Sequence, residues 1–267
     1  MLLGTVASPM GDDSETVFEA NRRFWDASTR SKMANGSYPV ESFLGGESTL
    51  FDHERTEVGD VGGKSLLHLQ CNNGLETLSW AREGADAMGI DISGESLRYA
   101  RDLSEESGVD AAFVQCNVYD AADALDRQFD VVYTSRGVLS WLPDLEGWAD
   151  VIARSLTDGA PFYLFEGHPV SRIFDEDFEV IRSYFENEPD RYDEAGFGVD
   201  AEHYRTLHRL CDVVNALSSA GLRIEFVHEF PFDYWRRLGG MVRDDAGRWR
   251  LPGDPLPLSF SLRATKM

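Results

Sequence analysis

The stretch from Lys64 to Asp91 constrains the fold of this chain more than any other. It contains a short apolar run, Ser65 to Leu69, then a turn of small and polar residues, Gln70 to Gly74, and then a helical pattern. A second short run, Ala87 to Ile90, ends on Asp91. Short apolar runs with polar flanks are typical of buried parallel strands. The stretch therefore predicts a βαβ unit, and an acid about 20 residues after a glycine-containing turn is typical of sites that bind a nucleotide ribose.

The alternation of strand and helix continues along the chain. Further strands are predicted at Ala111 to Cys116, Phe129 to Thr134, Pro161 to Glu166, Leu222 to Phe230 and Leu258 to Ala264. Strands separated by helices indicate a parallel sheet with right-handed crossovers and helices on both faces. An amphipathic helix from Glu15 to Arg30 precedes this unit, and it either lies across the ligand pocket as a lid or packs on the sheet edge.

The charge of the chain is strongly negative. With 47 acidic and 25 basic residues, the net charge is −22, and only Lys32, Lys64 and Lys266 are lysines. The surplus acids serve either as a partner-binding face or as an adaptation to high salt, where repulsion is screened. Their scattered distribution favours the salt-adapted, halophilic interpretation. A polyanionic nucleic acid is not expected as a partner, since the sequence has no basic patch.

The cysteines and the lengths of the apolar runs argue against disulfide-rich, metal-binding and membrane-spanning proteins. Cys71, Cys116 and Cys211 are odd in number, far apart and without a CxxC pair, so we expect neither a disulfide framework nor a metal site. Each is expected to be a small buried residue. The sequence has no apolar run near 18 residues and no signal segment, so we expect a cytoplasmic protein without a membrane partner.

Several motifs resemble those of class I S-adenosylmethionine-dependent methyltransferases. LLHLQCNNGLETLSWAREGA resembles the first motif, IDIS the second, and QCNVYD the loop after the third strand. The segment from FDVVYTSRGVLSW to FYLFEGHP resembles the fourth-strand motif with the following helix and strand. NRRFWD, YPVESFLGG and VNALSSAGLRIEFVHEFPF resemble a branch of small-molecule-type members.

The resemblance implies an α/β fold. The expected architecture is a doubly wound, mostly parallel, seven-stranded Rossmann-like sheet with a C-terminal antiparallel hairpin and an N-terminal helical lid. We expect one domain over residues 1–267. Its expected parts are lid helices at 14–60, a cofactor-binding core at 64–166, an insertion or substrate lid at 167–205, and a C-terminal helix and strand hairpin at 206–267.

The resemblance also implies a cofactor, S-adenosylmethionine, and a set of residues that hold it. These are Gln70, Cys71, Asn72 and Gly74 beside the methionine moiety, Asp91 on the ribose diol, Ile92, Asn117 and Val118 around adenine, Thr134 and Ser135 under the sulfonium, and Trp25 and Tyr38 as aromatic faces for the cation. The family's first motif commonly has an acid on the strand and three glycines. Here His68, Gln70 and Asn72 stand in those places, and only Gly74 remains.

The implied reaction is methyl transfer to a small-molecule acceptor. Such a reaction requires alignment and exclusion of water, so a general base is not obligatory. If one is needed, His168 is the first candidate and Glu166 the second, since both lie at a strand end. Each residue has a structural alternative: His168 as a hydrogen-bonding residue before Pro169, and Asp91 as a helix-capping acid.

Two other functions remain open at this point. A non-catalytic protein that binds S-adenosylmethionine or S-adenosylhomocysteine would also have an altered first motif. A nicotinamide-dependent oxidoreductase is disfavoured, because a pyrophosphate needs a close backbone approach that Asn72 obstructs. The acceptor, its reacting atom and the oligomeric state are not specified by the sequence.

Overall fold

Seven strands form the central sheet of the computed structural model, which describes residues 13–186, 188–192 and 199–267. In chain order they are β1 (Ser65–Leu69), β2 (Asp86–Asp91), β3 (Ala112–Gln115), β4 (Val131–Ser135), β5 (Pro161–Gly167), β8 (Leu222–Phe230) and β12 (Ser259–Lys266). Their order across the sheet is β3-β2-β1-β4-β5-β12-β8. All seven were predicted, and no predicted end differs from the observed one by more than two residues.

The strand directions confirm the predicted fold class. The five strands from β3 to β5 run parallel, while β12 is antiparallel to both β5 and β8 and forms the C-terminal hairpin. The strand order reverses at β1, which pairs with β2 on one side and β4 on the other. In open α/β sheets, ligands bind beyond the carboxyl ends of the strands at such a point.

Eight α-helices occur in the described part of the chain. They are α1 (Asp13–Ala34), α2 (Val40–Leu44), α3 (Asp52–Val58), α4 (Leu75–Arg82), α5 (Gly94–Ser107), α6 (Ala121–Leu125), α7 (Leu145–Ser155) and α8 (Leu210–Ser219). The predicted loop from Tyr38 to Gly46 contains α2, because Pro39 holds φ at −78° before the first turn, a geometry that suits a helix start.

Apolar side chains on the two faces of the sheet form separate cores. Along β1, Leu67 and Leu69 pack with α7 and α8 on one face, while Leu66 packs on the other face. Along β5, Phe162 and Leu164 alternate in the same way with Tyr163 and Phe165. This period of two residues is the side-chain alternation of a strand that is buried on both faces.

Helix α1 is fixed to the first turn of α5. The Asp26 Oδ1 atom accepts hydrogen bonds from the Ser93 hydroxyl (2.7 Å) and from the backbone N–H of Glu95 (3.2 Å). The hydroxyls of Thr29 and Ser96 lie 2.7 Å apart. These contacts hold α1 against the start of α5, and the lid function stays a prediction.

Two small sheets of short strands lie outside the central sheet. The segment after β5 contains the pair β6 (Asp190–Tyr192) and β7 (His203–Arg205), and the excursion between β8 and β12 contains β9 (Phe232–Asp233), β10 (Val242–Arg243) and β11 (Trp249–Arg250). Over the ranges described, no helix has the length and apolar character to cross a membrane. Cys71 is buried, but Cys211 is exposed on α8, so the expectation that every cysteine is buried was wrong.

Candidate functional site

Two adjoining cavities lie at the carboxyl edge of the parallel strands. The smaller has a volume of about 100 Å³ and the larger about 660 Å³. Both are bordered by Trp25, Gln70, Asn72, Ser135, Arg136, Gly137 and Trp141. Because they share this border, one elongated ligand can extend from the first cavity into the second.

The turn after β1 has three left-handed residues at alternating positions. Gln70 has φ 57°, Asn72 φ 49° and Gly74 φ 75°. Glycine adopts this conformation without a steric cost, whereas other residues lose about 1 kcal/mol or more. The turn therefore keeps the backbone path of a glycine-rich loop although two of its glycines are replaced. The Asn72 side chain contributes a contact of its own, since the Tyr38 hydroxyl donates to its Oδ1 at 3.3 Å.

Gly74 has a packing role and borders neither cavity. A Cβ atom at this position would lie 2.7 Å from the Ala100 Cβ and 2.8 Å from the Phe113 ring. The glycine is required because α4 begins in contact with α5 and β3. The prediction that Gly74 approaches a ligand is thus not supported by its position.

Asp91 lies at the end of β2 on the border of the smaller cavity. Its Oδ2 accepts from the Asn72 N–H and its Oδ1 from the Ser93 N–H, both at 2.8 Å. The carboxylate therefore links the turn after β1 to the start of α5, as the capping alternative required. Burial raises the pKa of Asp91 to about 6, and these two backbone donors oppose the shift. Each oxygen retains lone-pair capacity for a further donor from a ligand.

The far end of the smaller cavity is formed by β3 and α1. Ile92, Asn117 and Val118 border it, as predicted. The Asn117 Oδ1 accepts a hydrogen bond from the Tyr119 N–H at 3.3 Å, so this side chain also caps the short 3-10 helix Val118–Asp120. From α1, Phe18 covers Tyr119 with ring centroids 5.4 Å apart. The cavity is apolar on its walls and polar at its rim, which suits a heterocyclic base.

The two predicted residues of β4 differ in role. Ser135 borders both cavities. Thr134 is fully buried and borders neither, because its hydroxyl donates to the Leu69 carbonyl at 3.0 Å. Thr134 therefore joins β4 to β1 and is not in a position to contact a ligand.

On β1, in the turn after it and on Arg136, four buried polar atoms at the larger cavity have no hydrogen-bond partner within the described ranges. They are His68 Nε2, Gln70 Oε1, Asn73 Nδ2 and Arg136 Nε. An unpaired buried polar group costs about 1–3 kcal/mol, so such atoms at a cavity wall indicate where a polar ligand binds. His68 is held by Thr77 Oγ1 at 2.8 Å from its Nδ1, and burial with repulsion from Arg136 lowers its pKa to about 3. Its imidazole is therefore neutral at neutral pH.

Arg136 anchors the loop after β4. It has φ 59° and donates to Glu54 (2.5 Å), Glu76 (3.0 Å) and the Thr49 carbonyl (2.8 Å). Burial disfavours its charge, but Glu54 and Glu76 outweigh that effect and raise the pKa of Arg136 above its ordinary value. The charge is thus permanent and matched by two carboxylates.

The two predicted catalytic residues border neither of the two cavities. Glu166 is buried, and its oxygens accept from the N–H groups of Gly137, Val138, Leu139 and Gly167 and from the Tyr234 hydroxyl. His168 accepts from the Val170 N–H at 3.1 Å through Nδ1, so it caps a 3-10 helix, and its Nε2 lies 2.9 Å from Glu229. These contacts are structural, and they do not support a role as general base.

The aromatic residues predicted to meet a cation border the larger cavity, where Lys32 lies among them. Its Nζ is 5.2 Å from the Trp25 ring centroid, 5.8 Å from Tyr38 and 5.6 Å from Trp235. Sequence reasoning did not identify Lys32 as a site residue. Its signal was present, since it is one of three lysines and follows Trp25 by seven residues on the same helix face.

Other residues of the larger cavity were not named individually from the sequence, although the insertion at 167–205 was predicted as a substrate lid. Arg172, Arg205, Tyr234, Arg236 and Arg237 come from the segment after β5 and from the excursion between β8 and β12. Nothing local in the sequence relates these segments to the turn after β1. Only the fold brings them to the same edge of the sheet.

Comparison with known proteins finds similarity to methyltransferases. A family of methyltransferase domains matches residues 67–162. A ubiquinone biosynthesis O-methyltransferase from Klebsiella pneumoniae is 32% identical over 161 residues, which cover 60% of this chain and 62% of that protein. One with the same name from Pectobacterium atrosepticum is 38% identical over 154 residues, 57% of this chain and 60% of that protein. The chain thus spans less than two thirds of the length of these curated relatives.

Solved structures agree in fold. A putative S-adenosylmethionine-dependent methyltransferase from Listeria monocytogenes superposes with a TM-score of 0.59 at 20% identity, covering 80% of this chain and 97% of that one. The glycopeptide N-methyltransferase MtfA, in complex with S-adenosylmethionine, superposes with a TM-score of 0.56 at 18% identity and covers 80% of this chain and 92% of that one. At these identities the likeness concerns the fold.

Proposed function

We propose that this chain is a class I S-adenosylmethionine-dependent methyltransferase, which transfers a methyl group from S-adenosylmethionine to a small-molecule acceptor. One observation carries the proposal. Asp91 borders the smaller cavity, Gln70 and Arg136 border both cavities, and buried polar atoms without a hydrogen-bond partner in the described ranges, on His68, Gln70, Asn73 and Arg136, belong to residues that border the larger one.

The residues present fit the polar groups of the cofactor. Asp91 accepts from the ribose hydroxyls, and Ile92, Asn117 and Val118 surround adenine. At the methionine end, Gln70 Oε1 is an acceptor for the ammonium group, and the side-chain N–H groups of Asn73 and Arg136 are donors for the carboxylate. Cys71, Asn72 and Ser135 complete the wall. His68 and Gln70, which replace the family's usual acid and glycine, thus supply side-chain contacts instead.

Methyl transfer requires little of the protein beyond the correct placement of the cofactor and the acceptor. The bound cofactor supplies a methyl carbon activated by a positively charged sulfur. The chain's residues have to align the acceptor and exclude water from it. Trp25 and Trp141 border both cavities and cover the junction between them. A general base is not assigned, since neither Glu166 nor His168 faces this junction.

The volume beside the cofactor site favours a transferase over a protein that only binds the cofactor. A cavity of about 660 Å³ has room for the methionine end and for a second molecule. The relatives named as O-methyltransferases act in ubiquinone biosynthesis, and a small hydroxylated acceptor for this chain is inferred from them. A nicotinamide dinucleotide fits less well, because the Asn72 side chain stands where the pyrophosphate would approach the turn.

Ligand binding tests the proposal directly. Thermal unfolding and calorimetric titration are measured with S-adenosylhomocysteine and, in parallel, with NAD. S-adenosylhomocysteine at 100 times its Kd is expected to stabilise the protein by about 2.7 kcal/mol, and NAD is expected to leave the Tm unchanged. A shift with NAD alone would favour an oxidoreductase, and no shift with either would refute both functions. Transfer of a radiolabelled methyl group to phenolic and amine acceptors then separates an enzyme from a binding protein.

Adaptation to high salt and a cytoplasmic location are also part of this proposal. The scattered acids that give the net charge of −22 repel one another at low ionic strength. We expect the Tm to rise between about 0.1 and 1 M KCl, over which the Debye length falls from about 10 to 3 Å. A Tm that is independent of KCl would exclude salt adaptation.

A further inference from the structure

Only one carboxylate, that of Glu76 in the first turn of α4, is present among the described residues that border the larger cavity. We propose that Glu76 is the general base of the reaction and removes the proton from a phenolic hydroxyl of the acceptor. This inference rests on the proposed methyl transfer and deepens it, because it assigns a catalytic residue and the class of the reacting group.

A single cavity carboxylate is unexpected in so acidic a chain. The sequence has 47 acidic residues, and the rest of the polar wall that the structure describes consists of hydroxyls, amides, an imidazole, a thiol and cationic groups. Neither Asp91 nor Glu166 borders this cavity. Within the described part of the chain, Glu76 is therefore the one carboxylate that a proton leaving an acceptor in this cavity can reach directly.

Glu76 is oriented by Arg136 and is open to the cavity. Its Oε1 accepts a hydrogen bond from the Arg136 guanidinium at 3.0 Å, and Arg136 borders both cavities, so the carboxylate lies beside their junction. No side chain of the described residues donates to its Oε2. The Glu76 side chain is 19% exposed, whereas that of Glu54, the other carboxylate on Arg136, is 0% exposed. A base held by a third group, with one oxygen open to a ligand, is the arrangement that proton abstraction requires.

The surroundings make Glu76 a stronger base than an ordinary carboxylate. Burial raises its pKa above 4.5, attraction to Arg136 opposes the rise, repulsion from Glu54 adds to it, and the residue's own backbone N–H lowers it. A raised pKa improves a general base as long as the group remains ionised at the working pH.

Five charged or titratable groups from the elements around α4 interact with this carboxylate. They are Arg136, Glu54, Tyr133, Tyr38 and Cys71. The two tyrosine hydroxyls and the thiol have raised pKa values and stay neutral, so Arg136 and Glu54 determine the field at Glu76.

The other titratable groups of the cavity are poorer bases. The pKa of His68 is lowered to about 3, so its neutral imidazole is a weaker base than a carboxylate. Burial raises the pKa values of the Tyr38 and Tyr234 hydroxyls, so both keep their protons. The pKa of Lys32 is about 8, and its amine is mostly protonated at pH 7.

The ammonium group of the cofactor has acceptors of its own. Gln70, with its unpaired Oε1, borders both cavities, whereas Glu76 borders only the larger one. His68 supplies a second acceptor. Its Nδ1 lies 2.8 Å from the Thr77 hydroxyl, which donates to Cys71, so Nδ1 carries the proton and Nε2 is the unpaired acceptor. With these two acceptors at the methionine end, Glu76 is left for the acceptor molecule.

Proton transfer accompanies formation of the new bond. The oxygen–hydrogen bond of the acceptor breaks and its proton goes to Glu76 Oε2. A lone pair of the oxygen forms the bond to the methyl carbon, and the carbon–sulfur bond breaks with its electron pair remaining on the sulfur. Glu76 then releases the proton to solvent after the products leave.

The strength of the base limits the class of acceptor. A carboxylate is a weak base, so it requires an acidic hydroxyl, and a phenol with a pKa of about 10, like that of tyrosine, meets this requirement better than an aliphatic alcohol. The walls suit the flat ring of a phenol, since Tyr38, Phe51 and Trp141 border the same cavity as Glu76.

Phenols and their methyl ethers test the contact with Glu76. Catechol and phenol are titrated against 1,2-dimethoxybenzene and anisole by calorimetry, with the full chain saturated with S-adenosylhomocysteine at each pH. We expect at least one phenol to bind about ten times more tightly than its ether, because a hydrogen bond to a charged acceptor is strong. This preference is expected to disappear as the pH falls through the pKa of Glu76.

Variants assign the preference to one side chain. Glu76→Leu is expected to reduce it about fivefold or more, while Glu76→Gln, which keeps an acceptor oxygen, is expected to retain most of it without the pH dependence. Glu83→Gln, at the exposed end of the same helix, should leave both the preference and its pH dependence unchanged.

Kinetics separate a base from a residue that only binds. With the phenol that the wild type methylates fastest and saturating S-adenosylmethionine, Glu76→Gln is expected to lower kcat about 100-fold while KM changes less than about threefold. The loss of kcat at acid pH that the wild type shows should be absent in this variant.

Binding of S-adenosylhomocysteine is measured first, so a failure of the methyltransferase proposal is recognised before any phenol is added. The inference requires that Glu76→Gln change this affinity less than about threefold. A tenfold loss would assign Glu76 to the ammonium group of the cofactor and overturn the inference. A wild type that has no preference for phenols over ethers, or that methylates no phenol, would overturn it as well, and so would an unchanged kcat in Glu76→Gln.

Discussion

The two cavities differ in how the chain builds them. The smaller cavity is formed mainly by residues that directly follow β1, β2, β3 and β4, with one face of α1 as its cover. The larger cavity takes its side chains from α1, the turn after β1, the segment after β5 and the excursion between β8 and β12. A site made by strand ends is encoded locally, whereas a site made by distant segments exists only in the folded protein.

The contacts differ in kind as well. Around the smaller cavity, a single carboxylate and backbone N–H groups fix the geometry, as Asp91 does with Asn72 and Ser93. Around the larger cavity, long cationic side chains lie on aromatic rings. A site whose geometry is fixed by the backbone suits a ligand that is the same in every reaction. A cavity lined by side chains can change its specificity by substitution, without a change of fold. We expect the first cavity to serve the cofactor and the second to set acceptor specificity.

The largest predicted effect concerns Glu166, which tests whether a residue beside the larger cavity belongs to the scaffold. Glu166→Ala leaves four backbone N–H groups and Arg172 without their carboxylate. We expect a loss of about 3–5 kcal/mol in the free energy of unfolding, measured by urea denaturation. The exposed neighbour variant Glu229→Ala is expected to change it by less than about 0.5 kcal/mol. A Glu166→Ala protein of unchanged stability that has lost methyl transfer would restore the catalytic assignment.

The next effect is expected at Asp91, the central contact of the smaller cavity. Asp91→Ala removes the acceptor of two hydrogen bonds from the ribose, each worth about 1.5–3 kcal/mol when the acceptor is charged. S-adenosylhomocysteine affinity, measured by calorimetry, is therefore expected to fall about 100-fold or more. Asp86→Ala, at the exposed start of the same strand, is the matched control. Normal binding by a folded Asp91→Ala protein would refute the ribose assignment.

The sequence predicted the sheet and the rim of the smaller cavity because both depend on local signals. Apolar runs gave all seven strands, and the polar residues that end them gave Asp91, Ile92, Asn117 and Val118 at the cavity. The same reasoning also selected Thr134 and Gly74, which border neither cavity, since a strand-end position does not decide whether a residue faces the ligand or a neighbouring strand or helix. Arg172 and Arg205 were not singled out because the residues with which they border the larger cavity, on α1 and in the turn after β1, are far from them in the sequence.

A smaller effect is expected from pH. Burial raises the pKa of Asp91 from its ordinary 3.8 to about 6, so protonation below pH 6 removes the acceptors for the ribose. Since one pKa unit is tenfold in proton occupancy, affinity for S-adenosylhomocysteine is expected to fall about tenfold from pH 7 to pH 5. Asp91→Asn should lack this dependence. A wild-type affinity that is constant over this range would contradict the assignment.

The stability of the ligand-free protein is expected to change with pH in the opposite direction to the cofactor affinity. Because the folded pKa exceeds the unfolded one, the stability contributed by Asp91 is fully present below about pH 3.8 and is lost as the pH rises through about 6. Stability and cofactor affinity should therefore change in opposite directions over the same pH range, which separates this carboxyl from the many exposed acids.

The smallest effect concerns the turn shared by both cavities. Gln70→Gly removes the cost of a left-handed residue at φ 57° but also removes the Oε1 atom at the methionine end. The free energy of unfolding is expected to rise by about 1 kcal/mol, while S-adenosylhomocysteine affinity falls about tenfold, a loss of about 1.5 kcal/mol for one hydrogen bond to the charged ammonium group. Gly159→Ala, at an exposed left-handed position in the loop before β5, is the backbone control and should only destabilise. A gain in stability without any loss of affinity would exclude Gln70 as a contact.

Because helix α1 covers both cavities, its movement can affect the rate of turnover. Phe18 and Asn21 cover the smaller cavity, Lys32 the larger one and Trp25 both, while Asp26 ties the same helix to α5. One displacement of this helix would uncover both compartments and break its contact with Ser93 at the edge of the ribose site. Release of the two products is then a single gated event, and we expect the opening rate of α1 to limit kcat once both substrates are saturating.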